Sequence, residues 1–95
     1  MPTHFVEGQE FWPKYYALPE KVRDRADRRY ELLEIQPDHH RLAFEKRCDT
    51  EGGGLYKADV DRQHRALALE VETDVYLWFW IGKHDEYERK LDLLC

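Results

Sequence analysis

The chain has 95 residues, a formal net charge of −5 and a charged fraction of 37%. Its length fits one domain, so a single domain over residues 1–95 is predicted. Aromatic residues (three Trp, six Tyr and four Phe) must fill its small core. The negative charge argues against a generic nucleic-acid-binding protein, which is usually basic.

Two further features bear on the cellular compartment. Cys48 and Cys95 are too few for a disulfide framework, so reduced thiols are expected, the default in cytosolic proteins. The N-terminus lacks a basic n-region followed by an apolar h-region, and no apolar run approaches the ~20 residues of a membrane span. These features predict a cytoplasmic protein.

The first forty residues predict a short edge strand and two helices. The strand lies around His4–Val6, and aromatic residues at helical spacing indicate a short helix over Gln9–Ala17. A longer helix is predicted over Pro19–Ile35, because proline suits the first helical position and Pro37 prevents continuation. Its apolar stripe consists of Leu18, Val22, Ala26, Tyr30 and Leu33.

Beyond Pro37 the apolar period falls to two, which is typical of strands. Strands are predicted at Arg41–Lys46, Leu55–Val60 and His64–Val71. Turns are expected at Cys48–Gly54, Asp61–Gln63 and Glu72–Asp74. Short connections of this kind predict an antiparallel meander.

The run Val75–Ile81 is apolar throughout, which predicts a strand buried on both faces. A polar segment follows Gly82. The predicted fold is α+β, with a two-helix N-terminal hairpin packed on a small antiparallel sheet of three to five strands, and a short C-terminal helix or turn. The stripe residues of the second helix are expected to cover Leu67, Leu69, Trp78 and Trp80.

Several segments carry a family resemblance through their order and spacing. They are Leu18-Pro19 with the long helix after it, residues 37–42 (PDHHRL), Leu55-Tyr56, residues 64–67 (HRAL) and residues 80–87 (WIGKHDEY). Together they resemble the RelE/ParE toxin superfamily of type II toxin–antitoxin systems.

The resemblance implies the toxin component of such a system. One implied activity is that of a RelE-like, metal-independent endoribonuclease (an mRNA interferase) that needs no cofactor. Its partners would be a cognate antitoxin, mRNA and the ribosome. The alternatives are a non-catalytic ParE-like toxin that inhibits gyrase, and an inactive member that acts by protein–protein binding.

Arg65 resembles the arginine with which RelE-like ribonucleases hold the scissile phosphate. A planar guanidinium suits this role because it donates two parallel hydrogen bonds. The alternative is a structural ion pair with Asp59, Asp61 or Glu86.

His84 and Tyr87 complete the predicted catalytic set, three residues apart after Gly82. Histidine moves protons near neutral pH, and tyrosine positions a phosphate or stacks on a base. The alternative gives His84 a hydrogen-bonding role at a helix terminus and packs Tyr87 on the second helix.

Lys46, Lys57 and Arg62 are candidate RNA-binding residues on one basic face. Glu45, Asp59 and Asp61 interleave with them, so a mixed-charge solvated face is the alternative. No metal site is predicted, since His39-His40 lacks companions at ligand spacing. Gly52-Gly53-Gly54 lacks the lysine of a phosphate-binding P-loop.

Overall fold

The structure is a computed structural model that describes residues 2–95. Its elements are β1 (Thr3–Val6), α1 (Phe11–Tyr16), α2 (Glu20–Ile35), β2 (Glu45–Thr50), β3 (Gly53–Asp59), β4 (His64–Glu72), β5 (Val75–Lys83) and α3 (His84–Leu94). No helix in this part of the chain is long and apolar enough to cross a membrane.

The five strands form one sheet in the order β1-β5-β4-β3-β2. The predicted meander of β2 to β5 is antiparallel, as expected. The N-terminal strand departs from the prediction, since β1 pairs in parallel with β5, with Thr3 opposite Val75. The sheet is therefore mixed, and the α+β class is confirmed.

The first meander strand begins later than predicted. Turns occupy residues 39–43, where the Leu42 amide donates to the His39 carbonyl at 3.1 Å and Ala43 has a φ of 43°. A left-handed residue ends an extended run, so β2 starts at Glu45. The predicted turn at Cys48–Gly54 is mostly strand, and the chain reverses around Glu51 and Gly52.

The larger core lies between the sheet and the α1–α2 hairpin. Trp78 is 4% exposed there, beneath both helices. Its indole N–H donates to Nδ1 of His4 at 3.0 Å. The other buried members are Phe11, Val22, Leu33, Leu42, Ala58, Val60, Ala66, Ala68, Tyr76 and Ile81.

A smaller core lies on the opposite face, beneath α3. Tyr87 and Leu91 of α3 pack against Leu55, Leu67 and Trp80. The prediction that α2 covers Leu67, Leu69 and Trp80 is therefore wrong, and only Trp78 of that set faces α2. The prediction of a strand buried on both faces is confirmed, because Trp78 and Trp80 point to opposite sides of β5.

The two cysteines form a disulfide, with their Cα atoms 6.0 Å apart. The expectation of reduced thiols is wrong for this structure. The bond joins β2 to the residue after α3, and Cys48 also packs against the smaller core. Residues 47 positions apart meet because α3 runs back across the sheet toward β2, a tertiary effect without a local sequence signal.

Candidate functional site

Arg65 lies near the start of β4, at one end of the sheet. Its neighbours in the sheet are Asp59 of β3 and Gly82 of β5. Nε contacts Oδ1 of Asp59 at 3.0 Å, and Nη1 donates to the carbonyl oxygens of Asp61 (2.6 Å) and His64 (3.0 Å). The guanidinium is thus held rigidly, and the ion pair with Asp59 is one of those anticipated from sequence.

His84 is the first residue of α3, directly after β5. Its amide donates to the Gln63 carbonyl at 2.7 Å, and its Nε2 lies 3.4 Å from Oε1 of Glu88. The imidazole centroid is 5.8 Å from that of the Tyr87 ring. The imidazole is about half exposed, so a substrate can reach it.

Tyr87 is 4% exposed and packs on the sheet, not on α2 as the alternative proposed. Burial raises the pKa of its hydroxyl, while nearby Arg47 and Arg65 act in the opposite direction. The hydroxyl stays protonated at neutral pH and can donate a hydrogen bond.

Arg65, His84 and Tyr87 lie at the same end of the sheet, on the side of α3. Arg65 is opposite Gly82, only two residues before His84. This arrangement follows from the antiparallel pairing of β4 and β5, which puts the start of one strand beside the end of the other. We call these three residues the α3-side cluster.

The three candidate RNA-binding residues do not share a face. Lys57 is 8% exposed and lies on the α3 side, where its Nζ contacts Asp59 at 2.9 Å and Glu45 at 3.7 Å. Lys46 is opposite Tyr56, the neighbour of Lys57, so it points to the other side. The prediction of one basic face is wrong for this pair, because successive strand residues alternate.

Arg62 lies in the β3–β4 loop and lines a cavity of about 410 Å³. We call this cavity the arginine cleft, and it is lined by Arg29, Arg41, Asp59, Asp61, Arg62 and Arg65. Sequence analysis missed Arg29 and Arg41 as site candidates. Arg29 belongs to α2, and only the fold brings it beside the β3–β4 loop.

Comparison with solved structures gives an informative likeness. No protein-family model and no curated protein matches the chain. Among solved structures, a chain of the archaeal RelE–RelB complex from Pyrococcus horikoshii OT3 superposes with a TM-score of 0.65. The match covers 86% of this chain and 93% of that one, at 17% sequence identity.

The chain has a RelE-like fold. This confirms the fold expected from the sequence resemblance, whereas 17% identity carries no information on activity.

Within this RelE-like fold, the α3-side cluster combines a fixed cation, an accessible imidazole and a protonated phenol. Such a set can neutralise a phosphate, move a proton and donate a hydrogen bond. In residues 2–95, no three His, Cys, Asp or Glu side chains form a metal-binding group.

Proposed function

We propose that this protein is the toxin component of a type II toxin–antitoxin pair and cleaves RNA without a metal ion. The observation that carries the proposal is the placement of Arg65, His84 and Tyr87 at one end of the sheet in a chain with a RelE-like fold. These residues supply the groups that RNA cleavage by its own 2′-hydroxyl requires.

In the proposed reaction, the ribose 2′-oxygen attacks the adjacent phosphorus as its proton leaves. The bond from phosphorus to the 5′-oxygen breaks, and this oxygen takes up a proton. The products are a 2′,3′-cyclic phosphate and a 5′-hydroxyl. His84 accepts the proton of the 2′-hydroxyl, since histidine is effective near neutral pH, and the leaving 5′-oxygen takes its proton from water.

Arg65 neutralises the charge that builds on the phosphate oxygens in the transition state. Its Nε and Nη1 bind protein oxygens, which leaves Nη2 for the substrate. The rigid anchoring means that little reorganisation is needed during the reaction. The buried Tyr87 hydroxyl, kept protonated, orients the nucleotide by donating a hydrogen bond.

Induction of the chain in a bacterial host, with measurement of growth and mRNA integrity, tests the proposal. With purified protein and RNA, His84→Ala should reduce cleavage by ~10²–10⁴-fold and Arg65→Ala by ~10²-fold or more. Arg89→Ala, an exposed change on α3, is the matched control. Unchanged cleavage in the folded His84→Ala variant would contradict the assigned role.

We also propose a cognate antitoxin as partner, bound to the helix hairpin and the sheet. The solved structure with the similar fold is a RelE–RelB complex. A second, smaller protein that co-purifies with the chain expressed from its native operon and suppresses its toxicity would support this. Toxicity unaffected by every neighbouring gene product would count against it.

A non-catalytic toxin is the second candidate, and the ion pairing favours it. The Asp59 carboxylate contacts both Arg65 and Lys57, which reduces the positive charge available to a phosphate, and Tyr87 is almost fully buried. A toxin that acts only by binding, as in gyrase inhibition, should remain toxic after His84→Ala and leave mRNA intact. A DNA supercoiling assay with purified gyrase then distinguishes gyrase inhibition from other protein contacts.

A further inference from the structure

The carboxylates of the arginine cleft are already neutralised by residues around them. Asp59 contacts Nε of Arg65 at 3.0 Å and Nζ of Lys57 at 2.9 Å. Asp61 contacts Nη1 of Arg25 at 3.1 Å. Neither carboxylate is therefore free to cancel the charge of the remaining guanidinium groups in the cleft.

Three of the four cleft arginines form no ion pair within residues 2–95: Arg29, Arg41 and Arg62. Arg29 is fixed by hydrogen bonds from Nη1 to the carbonyl oxygens of Arg41 and Asp59. Arg41 and Arg62 are exposed. Three unpaired guanidinium groups around one cavity make a local excess of positive charge in a chain whose net charge is −5.

We propose that the arginine cleft binds backbone phosphates of single-stranded RNA beside the phosphate held at Arg65. This inference rests on the proposed ribonuclease function and extends its substrate contacts. Guanidinium groups bind phosphate through paired hydrogen bonds. The volume of about 410 Å³ lies within the range of about 300–1,000 Å³ typical of ligand pockets.

Arg65 connects the cleft to the α3-side cluster, because it lines the former and belongs to the latter. Asp59 provides the same link through different atoms, with its carboxylate on Arg65 and its carbonyl on Arg29. Because Arg41 and Arg62 line the same cavity as Arg65, they are the groups that would meet the phosphates next to one held at Arg65. Contacts of this type position a strand without reading its bases.

The test uses the full-length chain and a short single-stranded RNA carrying 2′-O-methyl groups, which keep the phosphates but block attack by the 2′-oxygen. Binding is followed by fluorescence anisotropy across a range of salt concentrations. The double variant Arg41→Gln/Arg62→Gln should bind about tenfold or more weakly. The slope of log affinity against log salt should become shallower by about 0.7 per lost phosphate contact.

The matched control is Lys21→Gln/Arg28→Gln, which removes two exposed charges from α2 outside the cleft. Both double variants should keep the wild-type circular dichroism spectrum and melting temperature. If both double variants lose the same amount of RNA affinity, the loss of positive charge alone explains the result, and the assignment of RNA binding to the cleft is overturned. A mononucleotide that competes for the site as effectively as RNA at the same phosphate concentration would also overturn the assignment of RNA binding to the cleft.

The fate of unmodified RNA separates this inference from the proposed function. Suppose that the wild type cleaves RNA and the Arg41→Gln/Arg62→Gln variant binds RNA as tightly as the wild type. This result would refute RNA binding by the arginine cleft but would not contradict the proposed ribonuclease activity. Suppose instead that RNA binding depends on the cleft arginines but the wild type does not cleave RNA. This result would refute the proposed ribonuclease activity and support RNA binding by the arginine cleft. If the wild-type chain binds no RNA, the proposal that the arginine cleft binds RNA is refuted. The cleavage assay then tests the ribonuclease proposal by itself.

Discussion

Beneath α1 and α2 the sheet presents aromatic and aliphatic side chains almost exclusively, whereas beneath α3 the apolar patch is small and gives way to charge. Trp78 and Tyr76 lie within the first face. On the second, Leu67 lies beside Lys57, and Arg65 and Asp59 follow at the sheet end. The difference indicates that one face supplies most of the stability while the other holds reactive groups.

The largest expected effect on the first face is that of Trp78→Ala. The change removes a large buried side chain and its hydrogen bond to His4, so unfolding free energy should fall by about 3–5 kcal/mol. Urea denaturation measures this, with Trp12→Ala, 38% exposed, as the matched control. The activity per folded molecule should be unchanged. Its loss would contradict the assignment of stability to one face of the sheet and of reactive groups to the other.

Loss of the disulfide should have the next largest effect, mainly on the α3 face. Removal of a disulfide typically costs about 2–4 kcal/mol, and this one closes a long segment, since Cys48 and Cys95 are 47 positions apart. Urea denaturation of wild type with and without reductant measures the loss, and Cys48→Ser/Cys95→Ser should show no response to reductant. Amide exchange should accelerate most in α3; equal acceleration in α2 would contradict this.

Gly82→Ala should have an intermediate effect and act on the α3 face. A Cβ at Gly82 would lie 2.6 Å from Cζ2 of Trp80, so the indole must move away from its place in the smaller core. Overpacking of this kind costs about 1–3 kcal/mol. Thermal unfolding measures the change against Gly8→Ala, where the nearest side-chain atom is 3.6 Å away. Equal melting temperatures for the two variants would contradict the prediction.

The smallest expected effect concerns pH and the first face. Burial lowers the pKa of His4, opposed by the nearby Glu34, and its neighbours Tyr30 and Tyr76 are neutral rings. The unfolded chain therefore binds this proton more readily, so the stability that neutral His4 provides is complete above about pH 6.5 and declines below it.

Urea denaturation at several pH values, compared between wild type and His4→Asn, isolates this contribution. The wild type should lose more unfolding free energy between about pH 6.5 and pH 5, by no more than about 1.4 kcal/mol per pH unit for one proton. Identical pH dependence in the two proteins, or a steeper loss in His4→Asn, would contradict the prediction.

The sequence predicts α2 well because prolines at positions 19 and 37 mark its ends locally. It also predicts that Arg65 lies beside the end of the strand that leads to His84 and Tyr87, since that follows from antiparallel pairing of two adjacent strands. The prediction that α2 covers Trp80 fails because the register between β4 and β5 shifts. Leu67 is opposite Trp80, whereas Ala68 is opposite Trp78. Such a bulge changes which side chains share a face, and alternation alone cannot reveal it.

Other features escape prediction because they depend on distant parts of the chain. β1 pairs with β5, some seventy residues later in the sequence, and no local pattern fixes the direction of that pairing. Arg29 and Arg41 join Arg62 only after α2 has packed beside the β3–β4 loop. The disulfide likewise requires α3 to return to β2 before its two sulfur atoms can meet.

The bond between Cys48 and Cys95 also converts the second half of the chain into a closed covalent ring. A protease that cuts at one point inside it, for example in the exposed turn at Thr73 and Asp74, produces two fragments that stay attached. On a denaturing gel without reductant the nicked protein keeps essentially its full mass, and with reductant it separates into two bands. Purity judged without reductant therefore overlooks such damage.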